Sequence, residues 1–273
     1  MTLLVLLFIS ILAGFTGALL GLGGGIIVVP ALTLLYGVNI RYAVAASLIS
    51  IVATSSGAAA SFLRDRLTNL RLAVFLELGT VTGAIIGFLI SSYISTKFLF
   101  LLFGGFLFFS ALMMLRKRED GSGALQNHPW AEKLKLDGSY PGKNGLQHYY
   151  VSHVDFGLLA MIVAGMLSAL LGIGSGIFKV LAMDGAMKLP IKVSSATSNF
   201  MIGVTATASA GAYLLRGDIE PAIATPVALG IILGSFLGAK AMVRLPAEKI
   251  RKIFVFVIII VSVQMITKGL KTN

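Results

Sequence analysis

The stretch Gly14-Phe-Thr-Gly-Ala-Leu-Leu-Gly-Leu-Gly-Gly-Gly-Ile26 returns 151 residues later, without a gap, as Gly165-Met-Leu-Ser-Ala-Leu-Leu-Gly-Ile-Gly-Ser-Gly-Ile177. The same offset sets Ala45 and Ser47 against Ala196 and Ser198, and Gly79, Gly83 and Gly87 against Gly230, Gly234 and Gly238. Seven glycine pairs share it: 14/165, 21/172, 23/174, 25/176, 79/230, 83/234 and 87/238. Such self-similarity marks a duplicated unit. In an apolar chain it points to secondary transport, because many carriers are built from two internal repeats with the substrate between them.

Composition agrees. Hydrophobic residues make up 57% of the chain and charged residues 12%, and mean hydropathy is +0.94. Soluble domains carry about 25% charged residues, so this chain lacks the polar surface to face water all round and reads as a polytopic membrane protein. The absence of cysteine excludes disulfides and thiolate metal sites. The first apolar stretch has no basic region before it and continues into the repeat, so it is expected to be retained. The net charge of +11 is read as loop charge that sets orientation, not as a nucleic-acid surface.

Apolar stretches fall at about 2–20, 26–38, 42–63, 72–95 and 98–115, and again at about 156–171, 177–189, 193–215, 219–242 and 252–268. Residues 26–38 and 177–189 are short for a crossing of ~30 Å at ~1.5 Å per residue. They are expected to be half-helices or arms of a re-entrant hairpin, broken off by the Gly-rich loops. The predicted architecture is therefore an all-α membrane protein of two repeats, 1–115 and 156–273, each of about five helical segments. The polar segment 116–155 joins them as a cytoplasmic linker. It holds Trp130 and all three histidines, His128, His148 and His153, whose spacing matches no firm metal motif, and it is expected to be solvated.

Charge then predicts orientation. Basic clusters follow the third segment (Arg64, Arg66, Arg71), the fifth (Arg116, Lys117, Arg118) and the ninth (Lys240, Arg244, Lys249, Arg251, Lys252), whereas the turn Arg216-Gly-Asp218-Ile-Glu220 is net acidic. All three clusters fall on the inner side if the divided first element of each repeat enters and leaves by one face or crosses twice. That solution inverts the repeats relative to each other and puts both termini outside.

The candidate substrate site gathers around the Gly loops. Gly21, Gly23, Gly24 and Gly25, with Gly172, Gly174, Ser175 and Gly176, lack the G-x-G-x-x-G spacing and the Lys-Ser/Thr of nucleotide loops, so no cofactor is expected. Freed backbone groups inside a bilayer are tolerated where they are buried in protein or line a cavity, and helix starts at Gly25 and Gly176 would turn N–H groups toward an anion. Ser47, Ser50, Ser198 and Asn199 lie in the following segments, where Thr54 also aligns with Thr205. Ionisable residues within spans are costly and functional by default. Lys179, which stands against Val28, could neutralise an anion or snorkel; Glu77, which stands against Ala228, could carry a coupling proton or pair with a basic residue. The rows Gly79/83/87 and Gly230/234/238 are read as helix-packing faces, and exposed rows of this kind could also mediate a homodimer.

The repeated Gly-x-Gly-x-Gly-Ile after a small-residue helix, followed by Ala-x-Ser in the next segment, resembles the TauE/SafE family of sulfite and organosulfur-anion exporters. The likeness covers nearly the whole chain outside 116–155. It implies a transporter in a prokaryotic cytoplasmic membrane for sulfite, sulfonates or related anions. The first copy departs in its extra Gly24 and Pro30, and Lys179 has no symmetric partner. A passive anion channel, or a permease for another small metabolite, remains open on the residues alone; a membrane enzyme lacks paired carboxylates or an intramembrane histidine site. Outward movement of an anion could run on the membrane potential, which leaves a coupling proton on Glu77 optional.

Overall fold

The structure is a computed structural model that describes residues 3–20, 24–64, 67–115, 126–142, 145–242 and 247–272. The first half comprises α1 (Leu3–Leu20), α2 (Gly25–Pro30), α3 (Ile40–Arg64), α4 (Leu70–Ser91) and α5 (Thr96–Leu115). The joining segment contains α6 (Pro129–Leu134) and an antiparallel hairpin of β1 (Gly138–Gly142) and β2 (Gly145–Tyr149). The second half follows as α7 (Val154–Leu171), α8 (Gly176–Leu181), α9 (Ile191–Arg216), α10 (Pro221–Met242) and α11 (Ala247–Lys271). Helices dominate, as in an all-α membrane protein. Among the described residues, α4, most of α5 (Thr96–Met113) and α7 are each long and apolar enough to cross a bilayer, with mean hydropathy of 2.0, 1.8 and 2.2.

The two short helices end alike. α2 runs on into a π-helical turn, Ala31–Leu35, and α8 into another, Ala182–Ala186. Both are closed by a wide backbone bond, Val38 N to Leu32 O at 3.0 Å and Leu189 N to Met183 O at 2.9 Å. Pro30 is not the cause, because its counterpart in the second copy is Leu181. Ser152 N donates to Met187 O at 3.1 Å, so the chain leaving the second π turn returns to where α7 begins. The α7–α8 element is thus a hairpin with both arms at one end of the bundle.

Glycines set the closest helix contacts. A Cβ at Gly79 would come within 2.9 Å of Leu158 O, and one at Gly230 within 2.7 Å of Leu7 O. At Gly83 and Gly234 it would overlap the carbonyls of Ile162 and Ile11, and at Gly165 and Gly14 those of Thr80 and Ile231. Each contact maps onto its fellow by the 151-residue offset. α4 therefore packs on α7, and α10 on α1, with backbones touching as small residues permit. Gly79, Gly83, Gly87, Gly230 and Gly234 thus serve as packing faces between helices of the chain.

Helix directions follow from contacts at several levels. Thr197 Oγ1 accepts from Asn69 N at 3.1 Å, and further along the same two helices Thr205 meets Glu77 at 3.1 Å, so α4 and α9 are parallel. At their far ends Arg216 donates to Ser91 Oγ (3.0 Å) and Ser92 Oγ (2.7 Å), pairs with Asp218, and lies over the rings of Phe88 and Tyr213. Arg41, in the first turn of α3, donates to Ser92 O and Ile94 O at 3.3 and 3.0 Å at that same end. Counterparts α3 and α9 consequently run in opposite directions. α11 is antiparallel to α5, with Gly269 beside Phe100 and Gly104 beside Ile266. The start of α1 and the end of α11 both fall at the Arg216 end, and the joining segment at the other.

That segment is docked, not simply solvated. Ala131, Leu136 and Val151 are buried and join Leu72, Leu76, Met183 and Met187 in one apolar cluster. Asn69 caps α4, accepting from Leu72 N at 3.0 Å, while its amide donates to Leu136 O (2.7 Å) and to the Tyr149 hydroxyl (2.9 Å). Burial pushes the Tyr149 phenol up to about 12, so it stays neutral at physiological pH. A polar composition predicts exposure on average, and a few apolar residues set at the right places override it.

Candidate functional site

The break between α7 and α8 is made by left-handed backbone. Gly172 and Gly174 have φ of +64° and +69°, and Ser175, a residue with a Cβ, has φ of +47°. That conformation is disfavoured for a side-chain-bearing residue. Ser175 Oγ is also buried and has no hydrogen-bond partner among the described residues. The chain thus holds an unsatisfied polar group at the start of α8, one turn before Lys179.

The two Gly-rich segments touch. A Cβ on Gly25 would overlap Gly172 O and lie 2.6 Å from Ser47 Oγ. Ser47 donates to Gly172 O at 2.6 Å across the repeats, and Ser198 donates to Gly176 O at 3.2 Å. Other expected site residues stay with their own helices: Ser50 donates to Ala46 O at 3.0 Å and Asn199 to Ser195 O at 2.9 Å. Gly24 is buried, with Ile231 Cδ1 close to where a Cβ would stand. Gly21 and Gly23 lie outside the described residues, as do Arg66, Arg116, Lys117, Arg118 and Arg244.

The charges meet at the centre. Lys179 is 0% exposed and Glu77 6%. The Lys179 ammonium donates to Thr205 Oγ1 at 2.6 Å and faces Glu77 Oε1 at 3.4 Å. Thr205 Oγ1 stands 3.1 and 3.2 Å from the two carboxylate oxygens and 2.9 Å from Met201 O, to which its hydroxyl can donate instead. Lys179 therefore does not snorkel. It is held deep in the protein, opposite a carboxylate contributed by the other repeat. Two of the three ammonium donors are engaged by these partners. Thr205, midway along α9, is the site residue that spacing alone does not single out; its only signal is alignment with Thr54. Thr54 itself bonds back to Ser50 O and Ile51 O of its own helix. An apolar cavity of about 260 Å³ lies elsewhere, lined by Ile9, Ile27, Pro30, Leu107, Val261 and neighbours, and holds none of these charged groups.

Comparison with known proteins gives the family. The family model described as "Sulfite exporter TauE/SafE" matches residues 6–265. The chain belongs to the TauE/SafE family. Among curated relatives, the "Probable membrane transporter protein YunE" of Bacillus subtilis is 25% identical, over 99% of both chains. YdhB of the same organism, also a probable membrane transporter protein, is 27% identical over 87% of each chain. The probable membrane transporter protein MJ0441 of Methanocaldococcus jannaschii is 26% identical, over 90% of this chain and 89% of its own. No solved structure matches. This TauE/SafE chain is thus a multi-pass membrane transporter and not an enzyme.

Proposed function

We propose that this TauE/SafE protein exports a small sulfur-containing anion, such as sulfite or a sulfonate, across a prokaryotic cytoplasmic membrane. It works by alternating access between two inverted repeats. The observation that carries the reading is the fully buried Lys179 beside the meeting point of the two Gly-rich segments. A cation so deep is expensive unless it has anionic company, and it gives an oxyanion a reason to enter. Ser175 Oγ, which has no hydrogen-bond partner among the described residues, together with Ser47, Ser198 and nearby backbone donors, suits an oxygen-rich ligand. Opposed α3 and α9, with glycine contacts repeating across the offset, support inversion of the repeats. The basic clusters follow helices that end on the linker side, which supports a cytoplasmic linker and termini outside.

Reconstituted proteoliposomes test this. Counterflow of sulfite or sulfoacetate, saturable and abolished in Lys179→Met, is expected. Stabilisation of the purified protein by these anions, and not by acetate, is expected alongside it. If none of sulfite, sulfoacetate, thiosulfate or sulfate moves or stabilises, the anion reading is wrong.

A further inference from the structure

Glu77 and Lys179 are charged where their counterparts in the other repeat, Ala228 and Val28, are apolar, and the fold brings those two departures together. Duplication built a symmetric frame, and this one asymmetric pair sits across it, Glu77 on α4 of the first half and Lys179 on α8 of the second. The pair is neutral by itself, so the protein can close around Lys179 without importing a charge. Its geometry is uneven. The short bond of the ammonium is to Thr205, at 2.6 Å, whereas the carboxylate stands off at 3.4 Å. If Glu77 swings away, Thr205 still anchors Lys179 and its own proton turns to Met201 O, 2.9 Å distant. Both keep a hydrogen-bond partner when it departs, while the charge of the ammonium then calls for another anion. Among the described residues, the charged group paired with Glu77 is Lys179.

We propose that Glu77 is a tethered stand-in for the transported anion. It holds the charge of Lys179 whenever cargo does not, and incoming anion displaces its carboxylate from the ammonium. This rests on the anion-transport reading and adds a kinetic property to it: the carrier can reorient without cargo and so carries out net transport, not only one-for-one exchange. A carrier lacking the stand-in would have to bury an uncompensated ammonium to return unloaded.

The test uses the full chain in proteoliposomes loaded with radiolabelled sulfite or sulfoacetate. Wild type is expected to support both efflux into anion-free buffer and exchange against external anion. In Glu77→Gln, exchange should persist while net efflux falls by about tenfold or more, and Glu77→Asp should recover part of the efflux. Persisting exchange certifies that the variant is folded. Net efflux from Glu77→Gln equal to wild type overturns the proposal, and so does loss of exchange together with efflux. If wild type itself moves neither anion, the transport reading fails first, an outcome distinct from either of these.

Discussion

Lys179, Glu77 and Thr205 form a network in which the two charges depend on each other for their burial. Removing one charge leaves the other alone in the interior, and breaking a buried ion pair costs about 3–5 kcal/mol, whereas replacing both members by apolar groups is often neutral or stabilising. Lys179→Met should therefore melt well below wild type in detergent, and Lys179→Met/Glu77→Leu should regain most of that loss without regaining transport. Thr205→Val keeps shape but removes the anchoring hydroxyl, and is expected to weaken anion-induced stabilisation while leaving the fold intact, as thermal shift with and without sulfite would report. Lys179 and Glu77 were legible in the sequence because charges inside apolar segments demand a reason. Thr205 was not, because most hydroxyls in such segments bond to their own helix, as Ser50 and Thr54 do here.

At the scale of helices, glycine decides which elements touch. Gly83 lies against the Ile162 carbonyl, while Gly105 and Gly211 have nothing within 4 Å of where a Cβ would stand. Gly83→Ala must push α4 from α7, and overpacking of this kind costs about 1–3 kcal/mol; Gly105→Ala and Gly211→Ala should be neutral or slightly stabilising in the same melting assay. The spacing of the glycine rows announced tight packing but could not say against what. A row four residues apart looks the same whether its partner is another helix of the same chain or a second copy. The π turns were equally hidden, since the two copies reach them through different residues, Pro30 and Leu181.

For the molecule as a whole, the expected arrangement puts the linker inside the cell and both ends outside. The chain contains no cysteine, so single replacements report cleanly. Lys271→Cys should react with a membrane-impermeant thiol reagent added to intact cells, and Trp130→Cys should react only after the membrane is opened; the reverse pattern would invert the topology. The mostly helical, membrane-spanning character was readable from composition and apolar stretches. The folding of the joining segment was not, because Leu136, Tyr149 and Val151 are too few and too scattered to form a periodic signal, and their meaning comes from the surface they land on. Asn69 shows what that landing entails. One side chain caps α4, grips the backbone at Leu136 and touches Tyr149, while the same residue's amide N–H reaches Thr197 of α9. Asn69 works as a latch at that end of the bundle: any outward tilt of α4 there must either break these bonds or drag the hairpin with it.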